Sequence, residues 1–248
     1  MIEKGGILLK KLMFLISFVV ITSLIFYSNT ASAEENNESA SLTKESYNDL
    51  IDEELLPEDI SYEEWLEVND ESLFEELDVP NVILDTDEST GIGLFATKTF
   101  TLKKGDILIS NGTSSAGLTG HAGIAINSSQ ILHIAGPKKN PTVISVATWQ
   151  KSYGIVKGQL DGRTHTKVYR VSNSSAAKAG EWAVTNYKGK KYSYGFTGSI
   201  TAKNPTYCSK IVWQAYNAQG KAKKPATKII SPYQLPTHIT GAKGLGIL

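Results

Sequence analysis

Short runs that mix apolar and small residues fill the middle of the chain. Residues 103–110 (KKGDILIS), 120–126 (GHAGIAI) and 130–135 (QILHIA) are rich in isoleucine and bounded by turn residues, which predicts three β-strands. The stretch NSSQ between the last two predicts a hairpin turn, so these two strands should be antiparallel neighbours. Residues 142–149 (TVISVATW) and 164–171 (THTKVYRV) continue the same β pattern.

A helical pattern follows these strands. Residues 174–189 (SSAAKAGEWAVTNYKG) predict a helix in which Ser174 or Ser175 is the N-cap and Gly189 is the stop. Strands followed by helices predict an α+β fold, with an antiparallel sheet and the helices on one side of it.

A second helix is predicted to follow Asn204 and to end at Gly220. Asn204 or Thr206 would cap its start, and Pro205 suits a first helical position. One face of this helix is apolar at the spacing i, i+3, i+4, i+7, i+8, and it consists of Cys208, Ile211, Val212, Ala215 and Tyr216.

This spacing places Cys208, the single cysteine of the chain, in the first helical turn and facing the sheet. The helix dipole and the unpaired N–H groups of that turn are expected to lower the pKa of its thiol. A buried structural cysteine has the same pattern, because free cysteine packs as a small apolar residue. A neighbouring base is therefore needed to distinguish the two interpretations.

The first 33 residues have the pattern of a signal peptide. Three lysines precede an apolar run of 15 residues (12–26), which is shorter than the roughly 20 residues needed to span a bilayer. Ala31 and Ala33 then supply the small residues of a cleavage site. The sequence predicts an exported protein, secreted or associated with the cell wall, that would contact a membrane only through a retained signal.

Charge divides the rest of the chain in two. The net charge of the 248 residues is zero, but residues 34–90 carry 21 Asp or Glu and one basic residue, whereas residues 91–248 carry 21 Lys or Arg and three acidic residues. The predicted organisation is therefore a signal peptide (1–33), an acidic segment (34–90) and a basic domain (91–248) that is long enough to bury its own core.

The acidic segment has two interpretations. Its apolar periodicity fits one or two short helices, or a largely disordered chain. It is either a solvating linker or a pro-segment that is drawn to the basic domain by its charge and masks it. The sequence leaves both interpretations open.

Two histidines are candidates for the base. His121 and His133 lie 12 residues apart, on the two strands that the short turn would make neighbours, and their faces depend on the register of that pair. A cysteine, a histidine base and a second polar group that orients the base are the usual arrangement for thiol acyl chemistry. His165 and His238 are interpreted as structural.

The motifs KKGDILIS, GHAGIAI, QILHIAG and YCSKIVWQAY, in this order, resemble the circularly permuted NlpC/P60 cysteine hydrolases, a papain-like group. The likeness is greatest to the YiiX and lecithin-retinol-acyltransferase-like members, and it covers about residues 102–235. The resemblance implies a permuted papain-like fold, in which an antiparallel sheet packs against helices and the nucleophile lies at a helix N-terminus.

The same resemblance assigns roles to individual residues. Cys208 matches the nucleophile, His121 matches the general base and acid, and His133 matches the residue that orients the base. A further set matches positions near the substrate pocket: Tyr192, Tyr194 and Tyr207.

The function that this resemblance implies is a secreted cysteine hydrolase that cuts an amide bond, with peptidoglycan stem peptides or another cell-envelope polymer as substrate. The alternatives are an acyltransferase or lipid or ester hydrolase of the same fold, a non-catalytic wall-binding module, and a toxin-type or immunity-type interaction protein. No cofactor or metal is expected, because the histidines lack zinc-motif spacing. Nucleic acid is not expected as a partner of an exported protein.

Overall fold

The computed structural model describes residues 42–80, 82–84, 99–115, 118–154 and 166–248. The predicted signal peptide, the first residues of the acidic segment and His165 lie outside these ranges. Residues Ser39–Leu248 form one compact unit.

The helices and strands are numbered here in chain order. The helices are α1 (Lys44–Asp52), α2 (Tyr62–Val68), α3 (Ser72–Glu75), α4 (Val146–Tyr153), α5 (Ser174–Tyr187), α6 (Cys208–Asn217) and α7 (Leu235–His238). The strands are β1 (Ile83–Leu84), β2 (Thr99–Phe100), β3 (Ile107–Ser115), β4 (Leu118–Ala125), β5 (Gln130–His133), β6 (Thr142–Ser145), β7 (Thr166–Val171) and β8 (Ala242–Ile247). Within the described ranges, no helix is long and apolar enough to cross a membrane.

The strands form one sheet in the order β2-β1-β8-β7-β3-β4-β5-β6. The six strands from β8 to β6 form consecutive antiparallel pairs with one another, and β1 pairs in parallel with β2 and β8. The predicted α+β class with an antiparallel sheet is therefore confirmed. The hairpin at NSSQ is also confirmed, since Ile124 pairs with Leu132 and Ala125 with Ile131.

The prediction of a continuous strand over 142–149 is wrong in its second half. The strand β6 ends at Ser145, whose side chain accepts a hydrogen bond from the backbone N–H of Thr148 over 3.0 Å. This cap satisfies an N–H group at the start of a helix, and α4 begins at the next residue.

The helices cover both faces of the sheet, which corrects the prediction that they lie on one side. Ile107 and Ile109 pack in one buried cluster with residues of α5 and α6. Leu108, between them, points to the opposite face and packs in a second cluster with Val146 and Trp149 of α4.

The cysteine helix begins later than predicted, at Cys208, and Tyr207 is its N-cap. Asn204 does not cap it, because the Asn204 side chain accepts a hydrogen bond from the backbone N–H of Ser193. All five residues of the predicted apolar face are buried, but so are the residues between them, because the helix is buried on all sides from Cys208 to Tyr216. In α5 the cap is Asn173, whose side chain accepts from the N–H of Ser175, so neither predicted serine has this role.

Much of the acidic segment folds against the sheet. Trp65 and Phe74, from α2 and α3, are buried in the cluster that also contains residues of α5 and α6. The side chain of Asn69 accepts a hydrogen bond from the backbone N–H of Thr119 on β4 over 2.7 Å. The buried ammonium group of Lys167 on β7 donates to the carbonyl of Phe74 over 2.6 Å. Residues 42–80 thus contribute to the core of the same compact unit as the basic domain.

Candidate active site

The β4–β5 hairpin brings His121 and His133 together on one face of the sheet. The Nε2 atom of His121 lies 2.8 Å from the Nδ1 atom of His133, and the two rings are nearly perpendicular. His121 is 0 % exposed and His133 is 3 % exposed. The pairing of Ile124 with Leu132 fixes this geometry, because the two histidines lie an odd number of residues from that pair, on the same side of the pleat.

Two aromatic rings of α4 surround this histidine pair. Tyr153 stacks on His121, with ring centroids 4.3 Å apart and planes 25° apart. Trp149 lies one helical turn earlier, 5.3 Å from His121 and 5.7 Å from His133. The two α4 rings also contact each other, with centroids 4.8 Å apart. We call these four side chains the imidazole box.

Hydrogen bonds to the end of α4 hold the box in place. The carbonyl oxygen of Tyr153 accepts from Ser110 Oγ over 2.5 Å and from Thr166 Oγ1 over 2.9 Å. Trp149 Nε1 donates to the same Thr166 hydroxyl over 3.0 Å. Ser110 lies directly opposite His121 in the β3–β4 pair, so the strand that carries the histidine is tied to the helix that stacks on it.

Cys208 is the first residue of α6 and is 0 % exposed. Its sulfur accepts hydrogen bonds from the backbone N–H groups of Ala122 and Ser209. Ala122 follows His121 on β4, so the thiol lies against the strand at the position next to the histidine. The prediction that Cys208 occupies the first turn and faces the sheet is confirmed.

The predicted low pKa of the Cys208 thiol is wrong. The backbone N–H groups at the helix start lower the pKa, as expected, but burial outweighs them and raises the pKa to about 11. The free energy that a thiolate would lose by desolvation in this closed site is larger than the stabilisation that the helix N-terminus provides. The resting thiol is therefore protonated.

Both histidines are neutral in the resting site. Burial, followed by the charge of His133, holds the pKa of His121 well below its usual range. Burial lowers the pKa of His133 to about 4. The thiol and both imidazoles are thus uncharged in the resting site, which holds no preformed thiolate–imidazolium pair.

One nitrogen of His121 is free to act. Its Nδ1 atom is buried and has no hydrogen-bond partner within the described part of the chain. If Nε2 of His121 carries the proton and donates to His133, then Nδ1 presents a lone pair, which is the form a general base needs.

Tyr233 lies over the strand just before His121. A Cβ atom at Gly120, whose φ is +73°, would lie 2.4 Å from the Tyr233 ring, so this close approach requires glycine. Phe74 also packs against Tyr233, with ring centroids 5.3 Å apart. Burial, together with the charges of Glu71 and Cys208, raises the pKa of the Tyr233 hydroxyl, which places this residue in the surroundings of the thiol.

The tyrosines assigned to the pocket lie in different places. Tyr207 is buried beside Cys208, and its hydroxyl accepts from the backbone N–H of Ile230. Tyr194 packs against Phe196, and Tyr192 packs edge-on against Tyr187. The observed contacts place only Tyr207 next to the thiol, and the pocket role of all three stays a prediction.

The sequence analysis missed the aromatic members of the site. Trp149, Tyr153 and Tyr233 were assigned no role, and residues 142–149, which contain Trp149, were interpreted as a strand. The i, i+4 spacing of Trp149 and Tyr153 is a helical signal that would have placed both rings on one face. His238, in contrast, bonds within its own helix, to the carbonyl of Gln234.

Among the described residues, no group of three or more His, Cys, Asp or Glu side chains is arranged to hold a metal ion.

Comparison with known proteins gives three findings. The model of a family described as lipoprotein N-acylation protein LnsA-like matches residues 79–247. A Bacillus thuringiensis protein described as "Uncharacterized 30.3 kDa protein" is 33 % identical over an alignment of 273 residues, gaps included; the alignment covers 94 % of this chain and 97 % of that protein. The crystal structure of metalloprotein yiiX from Escherichia coli O157:H7 is similar with a TM-score of 0.43 and 17 % identity, over 59 % of this chain and 98 % of that one.

Proposed function

The chain belongs to the family of LnsA-like lipoprotein N-acylation proteins, and from this premise we propose that it is a thiol acyltransferase. Cys208 takes an acyl group from an ester as a thioester and passes it to an amine. His121 moves the protons, and His133 orients His121.

The observation that carries the proposal is the burial of all three polar groups. The Cys208 sulfur and the two imidazoles are enclosed by aromatic and aliphatic side chains. A hydrolase must admit water to the intermediate, whereas an acyltransferase must exclude it until the acceptor arrives. A dry, apolar site also suits an acyl chain as the transferred group.

The first half-reaction forms the thioester. His121 Nδ1 takes the proton of the Cys208 thiol as the sulfur attacks the carbonyl carbon of the ester. The oxyanion is stabilised by the backbone N–H groups at the start of α6. In the resting site these groups donate to the sulfur. The C–O bond then breaks, and His121 returns the proton to the leaving alkoxide, which departs as an alcohol.

The second half-reaction releases the acyl group. An amine attacks the thioester carbonyl while His121 takes one of its protons. The C–S bond breaks, the proton passes to the sulfur, and the products are an amide and the free Cys208 thiol. No electron donor or acceptor is required.

The substrate classes follow from the family. Its description names lipoprotein N-acylation, so we propose the terminal amine of a lipid-modified protein as acceptor and an ester-linked acyl lipid as donor. Cleavage of peptidoglycan amide bonds is not favoured by any contact in the described site and stays a prediction. Export by the predicted signal peptide belongs to the same proposal.

The proposed acyl transfer is tested by detecting the acylated product. The full-length chain in mixed micelles with a diacyl phospholipid is given a synthetic lipopeptide that has a free terminal amine, and the lipopeptide is analysed by mass spectrometry. The proposal predicts addition of one acyl chain to the amine, lost in Cys208→Ala and His121→Ala and retained in His238→Ala, the matched histidine control. Peptide release from peptidoglycan without lipopeptide acylation would contradict it.

A further inference from the structure

We propose that Tyr153 is a positioning residue whose ring holds His121 in the orientation for proton transfer and stabilises its protonated form. This inference rests on the proposed role of His121 as the base.

The contact between the two rings is the first argument. The Tyr153 face covers the His121 face at 4.3 Å, whereas it meets His133 edge-on at 5.7 Å and 74°. A stacked neighbour restricts rotation of the imidazole about its Cα–Cβ and Cβ–Cγ bonds. The hydrogen bond from Nε2 to His133 fixes one edge of the ring, and the stacking fixes its plane.

The anchoring of Tyr153 is the second argument. Its carbonyl oxygen is held by Ser110 and Thr166 from two neighbouring strands, so the backbone below the ring cannot shift without breaking both bonds. These bonds cross from the end of α4 to β3 and β7, and they belong to the scaffold rather than to the reacting groups. Because the backbone of Tyr153 is fixed to two strands, its ring holds the His121 imidazole in one position relative to the sheet.

Charge is the third argument. When His121 takes the thiol proton, the positive charge develops under the π-face of Tyr153, and a cation over an aromatic face is stabilised. Burial and the charge of Cys208 raise the pKa of Tyr153 to about 12, so the phenol stays neutral and protonated at physiological pH. His133 supplies only a neutral hydrogen-bond partner, which leaves the aromatic face as a source of charge stabilisation within the box.

The positioning role of Tyr153 depends on its aromatic ring and not on its hydroxyl group. Among the described residues, no hydrogen bond is made by the Tyr153 hydroxyl, whereas the Tyr153 ring contacts all three other rings of the box. Tyr153→Phe therefore keeps the function, and Tyr153→Leu, which keeps apolar volume but has no aromatic face, loses it.

The experiment compares these two variants with the wild-type chain at pH 7. The readouts are the rate of thioester formation on Cys208 with a phospholipid donor and the ¹⁵N NMR spectrum of the labelled histidines. We expect Tyr153→Phe to match the wild type within about twofold. We expect Tyr153→Leu to slow the rate on the order of tenfold, which lies within the range for a lost cation–π contact, and to change the His121 signals from one tautomer to an average of two.

Tyr62→Leu is the matched control, because Tyr62 is another half-buried tyrosine in an aromatic cluster, 6.0 Å from Trp65 and away from the box. It should leave both readouts unchanged. Equal losses in the Phe and Leu variants, or a single His121 tautomer retained in Tyr153→Leu, would overturn the inference. If the wild type forms no thioester, the proposed function fails, and the NMR comparison still decides the role of Tyr153.

Discussion

His121 Nε2 lies 2.8 Å from His133 Nδ1, so the group that orients the proposed base is a second imidazole. With a pKa of about 4, His133 is neutral at physiological pH. A carboxylate in this position would attract a positive charge to His121, whereas a neutral imidazole offers a hydrogen bond alone. Burial, which lowers the pKa of both histidines and raises that of the Cys208 thiol, leaves the thiol and the base uncharged in the resting site. Proton transfer must therefore accompany attack on the substrate.

The first prediction concerns His133. His133→Leu removes the acceptor for the His121 Nε2–H, and it should slow thioester formation by about 10²-fold, which is the lower range for general acid–base catalysis. His133→Asn, whose side-chain oxygen can accept the same hydrogen bond, should restore part of the rate. Single-turnover acylation of the full chain measures both. A His133→Leu variant with the wild-type rate would show that His133 has no orienting role.

The second prediction concerns the reactivity of Cys208 without substrate. Because burial raises the pKa of the thiol to about 11, alkylation by iodoacetamide should be slow at pH 7 and should increase mainly above pH 9. In urea the same thiol should titrate near 8.5, the value of an exposed cysteine. Rapid alkylation of the folded chain below pH 7 would instead indicate a stable thiolate.

The third prediction concerns stability in acid. The folded-state pKa values of His121 and His133 lie below the unfolded value of about 6.5, so the unfolded chain binds more protons as the pH falls below 6.5, and stability is lost. The shift of His133 to about 4 corresponds to about 3 kcal/mol of unfolding free energy, lost progressively between pH 6.5 and 4. Urea unfolding at both pH values measures it.

His133→Asn provides the comparison for this effect, because it removes one titrating group and leaves the acidic segment unchanged. Its loss of stability between pH 6.5 and 4 should be smaller than that of the wild type, whereas the loss in His238→Ala should be the same. An equal loss in all three proteins would assign the acid sensitivity to the carboxylates instead.

The fourth prediction concerns the acidic segment. Phe74 is buried against Tyr233 and the Lys167 ammonium lies over its ring, so Phe74→Ala should lower the unfolding free energy by about 3 kcal/mol or more. Glu76→Ala, two residues away and exposed, should change it by less than about 0.5 kcal/mol. Urea unfolding of the full chain measures both. A stable Phe74→Ala variant would indicate a segment that is held mainly by charge, as a removable mask would be.

Local patterns in the sequence were sufficient for the parts of the site that depend on neighbours along the chain. The NSSQ turn predicted the hairpin that carries His121 and His133, and the spacing from Cys208 to Tyr216 predicted five of the buried residues of α6. The register of the hairpin required the structure, because a one-residue slip would have moved one histidine to the other face.

The remaining features depend on burial and on distant segments. The strand β6 ends at Ser145 and α4 begins after it, because the Ser145 side chain caps the helix. The residues on either side of Ser145 are β-branched and predict a continuous strand instead. The dipole of α6 acts on Cys208 as expected, but its effect is smaller than that of the surrounding apolar atoms, which come from other parts of the chain. Nothing local in the acidic segment indicated that Trp65 and Phe74 would enter the core.

The central claim is that Cys208 carries an acyl group with His121 as its base. Intact-mass spectrometry of the full chain after incubation with a phospholipid of defined acyl chains tests it most directly. We expect a mass increase of one acyl chain that is located on Cys208, is removed by neutral hydroxylamine, and is absent in Cys208→Ala and His121→Ala. An unmodified wild-type chain, or an adduct that persists in Cys208→Ala, would contradict it.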